Sequence, residues 1–204
     1  MLELYHNINS VCAQKIRIAL VEKGLQAKEH LMTLRGDQFD PAYMKLNSNA
    51  VVPTLVHDGH VITESSIIRD REAQFSRSPI RKRAKYKRDV VEHGLDSKYV
   101  QEALDDHKKL LRWIDDTIAV GPYLAGEMFS NADVAAIPYV LRLELLQLSR
   151  LWDSHPGVGA WWERVRIRPS VEQTIFQRMT ESDWTPFKSI APDPWPKVRE
   201  LLAA

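Results

Sequence analysis

An α/β domain followed by an all-helical domain is what this 204-residue sequence predicts. Across residues 1–70, short β-rich runs alternate with runs of helical period, which is the pattern of a mixed α/β unit. From Lys98 onward only the helical period survives. Between the two, the stretch from Arg77 to Arg88 holds seven basic residues and no acidic one, which marks a break in composition. The expected division is therefore 1–70, a basic linker or short helix over 71–97, and a helical domain over 98–204.

The elements follow in order. Leu2 to Tyr5 is a short strand, with Leu2 and Leu4 on one face. His6 to Ser10 forms a loop. Cys12, Ile16, Ala19 and Leu20 then recur at helical spacing on a helix that stops at Lys23-Gly24. His30 to Leu34 reads as a second strand. Asp40-Pro41 suits an N-cap followed by the first helical residue of a short helix through Tyr43, Met44 and Leu46. Residues 50–66 hold most of the signal. Pro53 interrupts an apolar run at a place suited to a cis X–Pro corner. Asp58-Gly59 between Pro-Thr-Leu-Val and His-Val-Ile reads as a two-residue hairpin. Thr63-Glu64-Ser65-Ser66 looks like a helix start, with a third helix beginning near Ser65. The resulting order, β-α-β-α-β-β-α, contains one parallel crossover.

In the second half, Val100, Leu104, Leu111, Ile114 and Ile118 make one apolar stripe on a helix ended by Gly121-Pro122. Ser130-Asn-Ala-Asp133 is a capping box with Asp in the place usually taken by Glu. A further helix carries Val158, Trp161, Trp162 and Val165, with Pro169 soon after. The tail from Thr185 holds four prolines and is expected to be an irregular strap over the surface.

Composition narrows the function classes. A formal net charge of +1 gives the whole molecule no bias toward nucleic acid or membranes. The basic stretch has no interleaved aromatic motif and is best read as a solvated face or linker. No apolar run is long enough to span a bilayer, and no secretory leader is visible, so a cytoplasmic address is expected. A single cysteine, Cys12, excludes an internal disulfide. The histidines are scattered, and no Cys/His cluster, phosphate loop or dinucleotide fingerprint is present, so neither a metal nor a nucleotide is expected.

Three segments, in the right order, carry a resemblance. Ser10-Val-Cys-Ala-Gln-Lys-Ile-Arg-Ile-Ala-Leu20 is similar to the opening of the first helix in serine- and cysteine-type cytosolic glutathione transferases, bacterial, zeta- or beta-like members among them. Val52-Pro53-Thr-Leu followed by Glu64-Ser65 resembles their glutathione-site signature. Leu124 to Asp133 resembles the buried capping motif of their helical domain. The resemblance implies a thioredoxin-like N-terminal domain, glutathione as co-substrate, a small electrophile as partner and a homodimer. It implies that Val52, before a cis Pro53, pairs its backbone with the cysteinyl part of glutathione, while Glu64 and Ser65 hold the γ-glutamyl end. Val51 departs from the pattern, since relatives often carry a polar side chain there.

Two residues compete for the chemistry. Ser10 would donate its hydroxyl to the glutathione thiolate, stabilise the charged form and support conjugation. Cys12, near a helix N-terminus, could instead form a mixed disulfide and support thiol transfer or reduction. Ser10 is the favoured reading and Cys12 the alternative; a non-catalytic binding module is a third. Ser130 and Asp133 are expected to be structural. A second departure follows Asp70: the family's third helix continues and leads into two long helices, whereas here the basic stretch intervenes almost at once. The second domain is therefore expected to be shortened by several tens of residues.

Overall fold

The computed structural model describes residues 1–63, 86 and 88–203. Its first unit is a four-stranded sheet of order β2-β1-β3-β4, built from β1 (Leu2–His6), β2 (Lys28–Leu31), β3 (Thr54–His57) and β4 (His60–Thr63). β1 and β2 run parallel, joined by helix α1 (Val11–Glu22), and the other two pairings are antiparallel. The β3–β4 hairpin turns at Asp58 and Gly59, whose φ values of 48° and 81° fit the left-handed pair that a two-residue hairpin needs. Helix α2 (Pro41–Leu46) begins as expected: the Asp40 side chain accepts from the Ala42 amide at 2.8 Å, and Pro41 occupies a position whose amide would be unused.

Two expectations in this half need correcting. The second strand is Lys28–Leu31 and not His30–Leu34, because its partner β1 ends at His6, opposite Leu31. One further bond, from the Met32 amide to His6 O at 2.7 Å, closes the ladder, and Leu34 then takes a positive φ of 59°. On α1, the buried face is Ala13, Gln14, Arg17 and Ile18, while Cys12, Ile16, Ala19 and Leu20 are only partly buried. Half of the buried face is polar, so a search for apolar spacing settles on the neighbouring face. The third helix expected near Ser65 and the basic stretch, apart from Tyr86 and Arg88, lie outside the described residues.

The second unit is helical. α3 (Lys98–Ile118) is capped by Ser97, whose hydroxyl accepts from the Tyr99 amide, and buries Leu104, Leu111 and Ile114. After it, a tight turn brings Tyr123 and Gly126 into a two-way backbone bridge. Gly121 has to be glycine there, because a Cβ would come within 2.9 Å of the Gly126 carbonyl carbon. α4 (Asn131–Leu145) and α5 (Pro156–Arg166) follow. Trp161 and Trp162 of α5 are 0% and 2% exposed, a burial contributing roughly 2–3 kcal/mol for each ring.

The tail is the third correction. It folds into α6 (Glu181–Lys188) and α7 (Trp195–Ala203), and Val198 of α7 is buried in the core. Pro196 stands in the first turn of α7, where helices tolerate proline, and α6 absorbs Pro186 on the strength of a Thr180/Asp183 capping box. The main core joins α3, α4, α5 and the tail, and Ile18 of α1 belongs to it as well. A smaller cluster of Met32, Tyr43 and Val52 lies beneath the sheet's other end elements.

Candidate functional site

The sheet sets the site's location. β1 and β3 are antiparallel, with Tyr5 opposite Thr54. The loop leaving β1 toward Ser10 and the turn entering β3 through Val52-Pro53 therefore meet at one end of the sheet. Thr63, the last residue of β4, is opposite Thr54 and ends at that same edge. Glu64 and Ser65, the next two candidate residues, lie outside the described residues.

The Val52–Pro53 peptide bond is cis, as the sequence suggested. Ala50 precedes it at a positive φ of 50°. Three side chains fix this turn: the Tyr43 hydroxyl donates to Val51 O at 2.5 Å, Asn47 Nδ2 donates to the same oxygen at 2.9 Å and to Thr54 Oγ1 at 2.9 Å, and Tyr43 and Thr54 hydroxyls meet at 2.9 Å. Burial pushes the Tyr43 phenol up from its ordinary value, which keeps it a donor. The Val52 side chain is buried, yet neither its N–H nor its C=O enters a hydrogen bond among the described residues. A free donor and acceptor on one residue are what an added extended peptide pairs with. Tyr43→Phe removes one of the two donors on Val51 O and should cost about 1 kcal/mol in chemical denaturation.

Ser10 is the N-cap of α1, its Oγ accepting from the Ala13 amide at 3.3 Å. That bond uses a lone pair and leaves the hydroxyl proton free to donate to an anion at the helix N-terminus. Cys12 is a free, partly buried thiol in the first turn.

The preceding loop is held from several directions, by residues that the sequence did not single out. Arg17, 2% exposed, donates to Asn7 O at 3.1 Å, Ile8 O at 3.0 Å, Thr174 O at 3.0 Å and His6 Nδ1 at 3.2 Å. Arg142 of α4 donates to Asn9 O at 2.6 Å, and Asn9 Nδ2 reaches Asp183 at 3.4 Å. Asn7 Nδ2 closes the other side on Met32 O at 2.8 Å. Burial, and then the Arg178 charge, bring Arg17 down to about 10. His6 falls to about 4, chiefly through burial and then through Arg17, although Glu29 at 3.3 Å pulls the other way. A neutral His6 accepts at Nδ1 and carries its proton on Nε2, toward Glu29. Glu29 itself is held below the usual carboxylate range by its paired hydrogen bonds from Arg178. Nothing in hydrophobic periodicity marks Arg17 or Arg142, since a lone arginine on a helix reads as solvent-facing.

Ser130 and Asp133 are structural, as expected. Asp133 is fully buried and accepts from Ser130 N, Ser130 Oγ, Leu124 N and Trp161 Nε1.

Two family models match. The glutathione S-transferase N-terminal domain matches residues 9–71, and the glutathione S-transferase C-terminal domain matches residues 69–169. Glutathione S-transferase TCHQD of Arabidopsis thaliana is 28% identical over 237 residues, covering 85% of this chain and 89% of that protein. Because 237 aligned positions draw on only 85% of a 204-residue chain, tens of positions in that relative have no counterpart here. A tetrachloro-p-hydroquinone reductive dehalogenase of Sphingobium chlorophenolicum is 24% identical over 231 residues, covering 83% of this chain and 93% of that one. Among solved structures, glutathione transferase F7 from Populus trichocarpa superposes with a TM-score of 0.65 at 21% identity, over 85% of this chain and 97% of the other, which matches the fold.

Proposed function

The chain belongs to the cytosolic glutathione S-transferase superfamily, and from that premise we propose that it activates the thiol of glutathione through Ser10 for attack on a small electrophile. A glutathione-dependent enzyme of the transferase or reductase kind is the coarser statement that its relatives support. The finer reading rests on one observation: Val52's unpaired backbone N–H and C=O share a sheet end with a hydroxyl-capped helix N-terminus. In this reading Val52 pairs with the cysteinyl backbone, the cis Pro53 presents it, and Glu64 and Ser65 hold the γ-glutamyl end. The Ser10 hydroxyl donates to the sulfur, favours the thiolate over the thiol and lowers its pKa. No metal takes part, the protein works in the cytoplasm, and it acts as a homodimer. Among the described residues, no helix is long and apolar enough to cross a membrane.

The dehalogenase relative favours a second reading, in which Cys12 attacks a glutathione conjugate to form a mixed disulfide that a second glutathione resolves. Two variants separate these. Ser10→Ala should raise the pKa of the bound thiol, read by its ultraviolet thiolate absorbance, and cut kcat/KM about 100-fold while retention on immobilised glutathione persists. Cys12→Ala should leave conjugation intact; if it alone abolishes turnover, the serine reading is wrong. A wild-type protein that ignores millimolar glutathione would remove both readings.

A further inference from the structure

A second concavity lies between α3 and α4, beside α1, with a volume of about 560 Å³. This is within the range of small-molecule sites. Its size has a simple origin in the sequence: the two helices face each other there through Ala103, Ala132, Ala135 and Ala136, whose side chains leave the space between them unfilled. Two aromatic residues line it and stay open to solvent, Trp113 at 47% and Tyr139 at 37% exposed. Large rings left uncovered beside an alanine-lined hollow are surface that an apolar ligand would remove from water.

Charge gives the ligand its sign. Two formally charged side chains line the cleft, Lys15 and Asp106. Asp106 is matched by Lys109 at 3.2 Å. Lys15 has no carboxylate partner among the described residues: its ammonium lies 4.5 Å over the Tyr139 ring and donates to the Tyr139 hydroxyl at 3.3 Å. The third polar lining residue, His107, bonds through Nδ1 to Ala103 O at 2.7 Å, and its Nε2 has no hydrogen-bond partner. An unmatched cation above an aromatic face, at the rim of an apolar cleft, suits an anion carried on a flat ring.

We propose that the cleft between α3 and α4 binds an aromatic carboxylate or phenolate, its ring against Trp113 and Tyr139 and its negative group at Lys15. None of Ser10, Cys12, Val52 or Pro53 lines this cleft, so the assignment stands apart from the glutathione chemistry proposed above.

The experiment is calorimetric titration of the full chain, without glutathione, with 2-naphthoate and with its neutral counterpart naphthalene-2-carboxamide. The carboxylate should bind about fivefold more tightly than the amide, the scale of one partly exposed ion pair. Lys15→Met should erase that difference and leave the amide's affinity unchanged. Ala135 is exposed, so Ala135→Phe should fold normally, fill the cleft and abolish binding of both. Equal affinity for the two probes, binding of either that survives Ala135→Phe, or no binding of the carboxylate at millimolar concentration each overturns the proposal. Retention on immobilised glutathione is read separately, so failure here leaves the Ser10 reading untouched, and the reverse also holds.

Discussion

Asp133→Ala should destabilise the protein by about 4 kcal/mol, the largest single-residue effect expected outside the aromatic core. The carboxylate is fully buried and accepts from the Leu124 amide at 3.0 Å, the Ser130 amide at 2.9 Å, the Ser130 hydroxyl at 3.1 Å and the Trp161 indole at 2.8 Å. Alanine would leave these donors in the interior with nothing to accept them, and each buried orphan costs roughly 1–3 kcal/mol. Asparagine keeps one accepting oxygen for Leu124 and Trp161 but turns an N–H₂ toward the Ser130 amide, so it should cost about half as much. For a chain of this size the alanine change corresponds to a fall in Tm of roughly 10 °C. Denaturant midpoints check it, and a loss under about 1 kcal/mol would mean the four bonds are not all made.

Acidification should produce the second large effect. His6 titrates near 6.5 when unfolded and at about 4 in the fold. Between those values the unfolded chain binds a proton that the folded chain refuses, so stability rises with pH across that window and is lost as pH falls through it. Full protonation of the unfolded state alone corresponds to about 3 kcal/mol, at 1.36 kcal/mol per unit. Glu29, whose value is depressed by Arg178, adds a loss of the same sign at lower pH. Urea midpoints measured from neutral pH down to about 4 should show this slope, and His6→Gln should flatten it. An unchanged slope in the variant would assign the acid sensitivity to other groups.

The elements legible in the sequence were those whose signal is local. The Asp58-Gly59 turn needs two left-handed residues, and Asp-Gly provides them. The Asp40-Pro41 and Ser130/Asp133 caps depend on side chains reaching their own backbone. The α3 stripe and the Trp161/Trp162 face are apolar at a clean helical period. What stayed hidden was polar burial. α1 turns Gln14 and Arg17 inward because the loop before it has carbonyls to satisfy, and no periodicity of apolar residues can reveal that. The tail misled for the opposite reason: its prolines sit where helices can hold them, and its docking on the core depends on residues far away in the chain. Ser10 as a cap was legible; its loop's fastening by Arg17 and Arg142 was not.

That fastening bears on how such a chain can be recombined. The two family models meet near residue 70, which invites treating residues before and after as interchangeable cassettes. Yet the loop leading to Ser10 takes its shape from the guanidinium of Arg142, the carbonyl of Thr174 as tied by Arg17, and the backbone and carboxylate of Asp183. A crossover at residue 70 would separate Ser10 from three of the anchors that set its approach. The heritable unit of this site is the whole chain from β1 to α6, and substitutions at positions 9, 142 and 183 have to be inherited as a set.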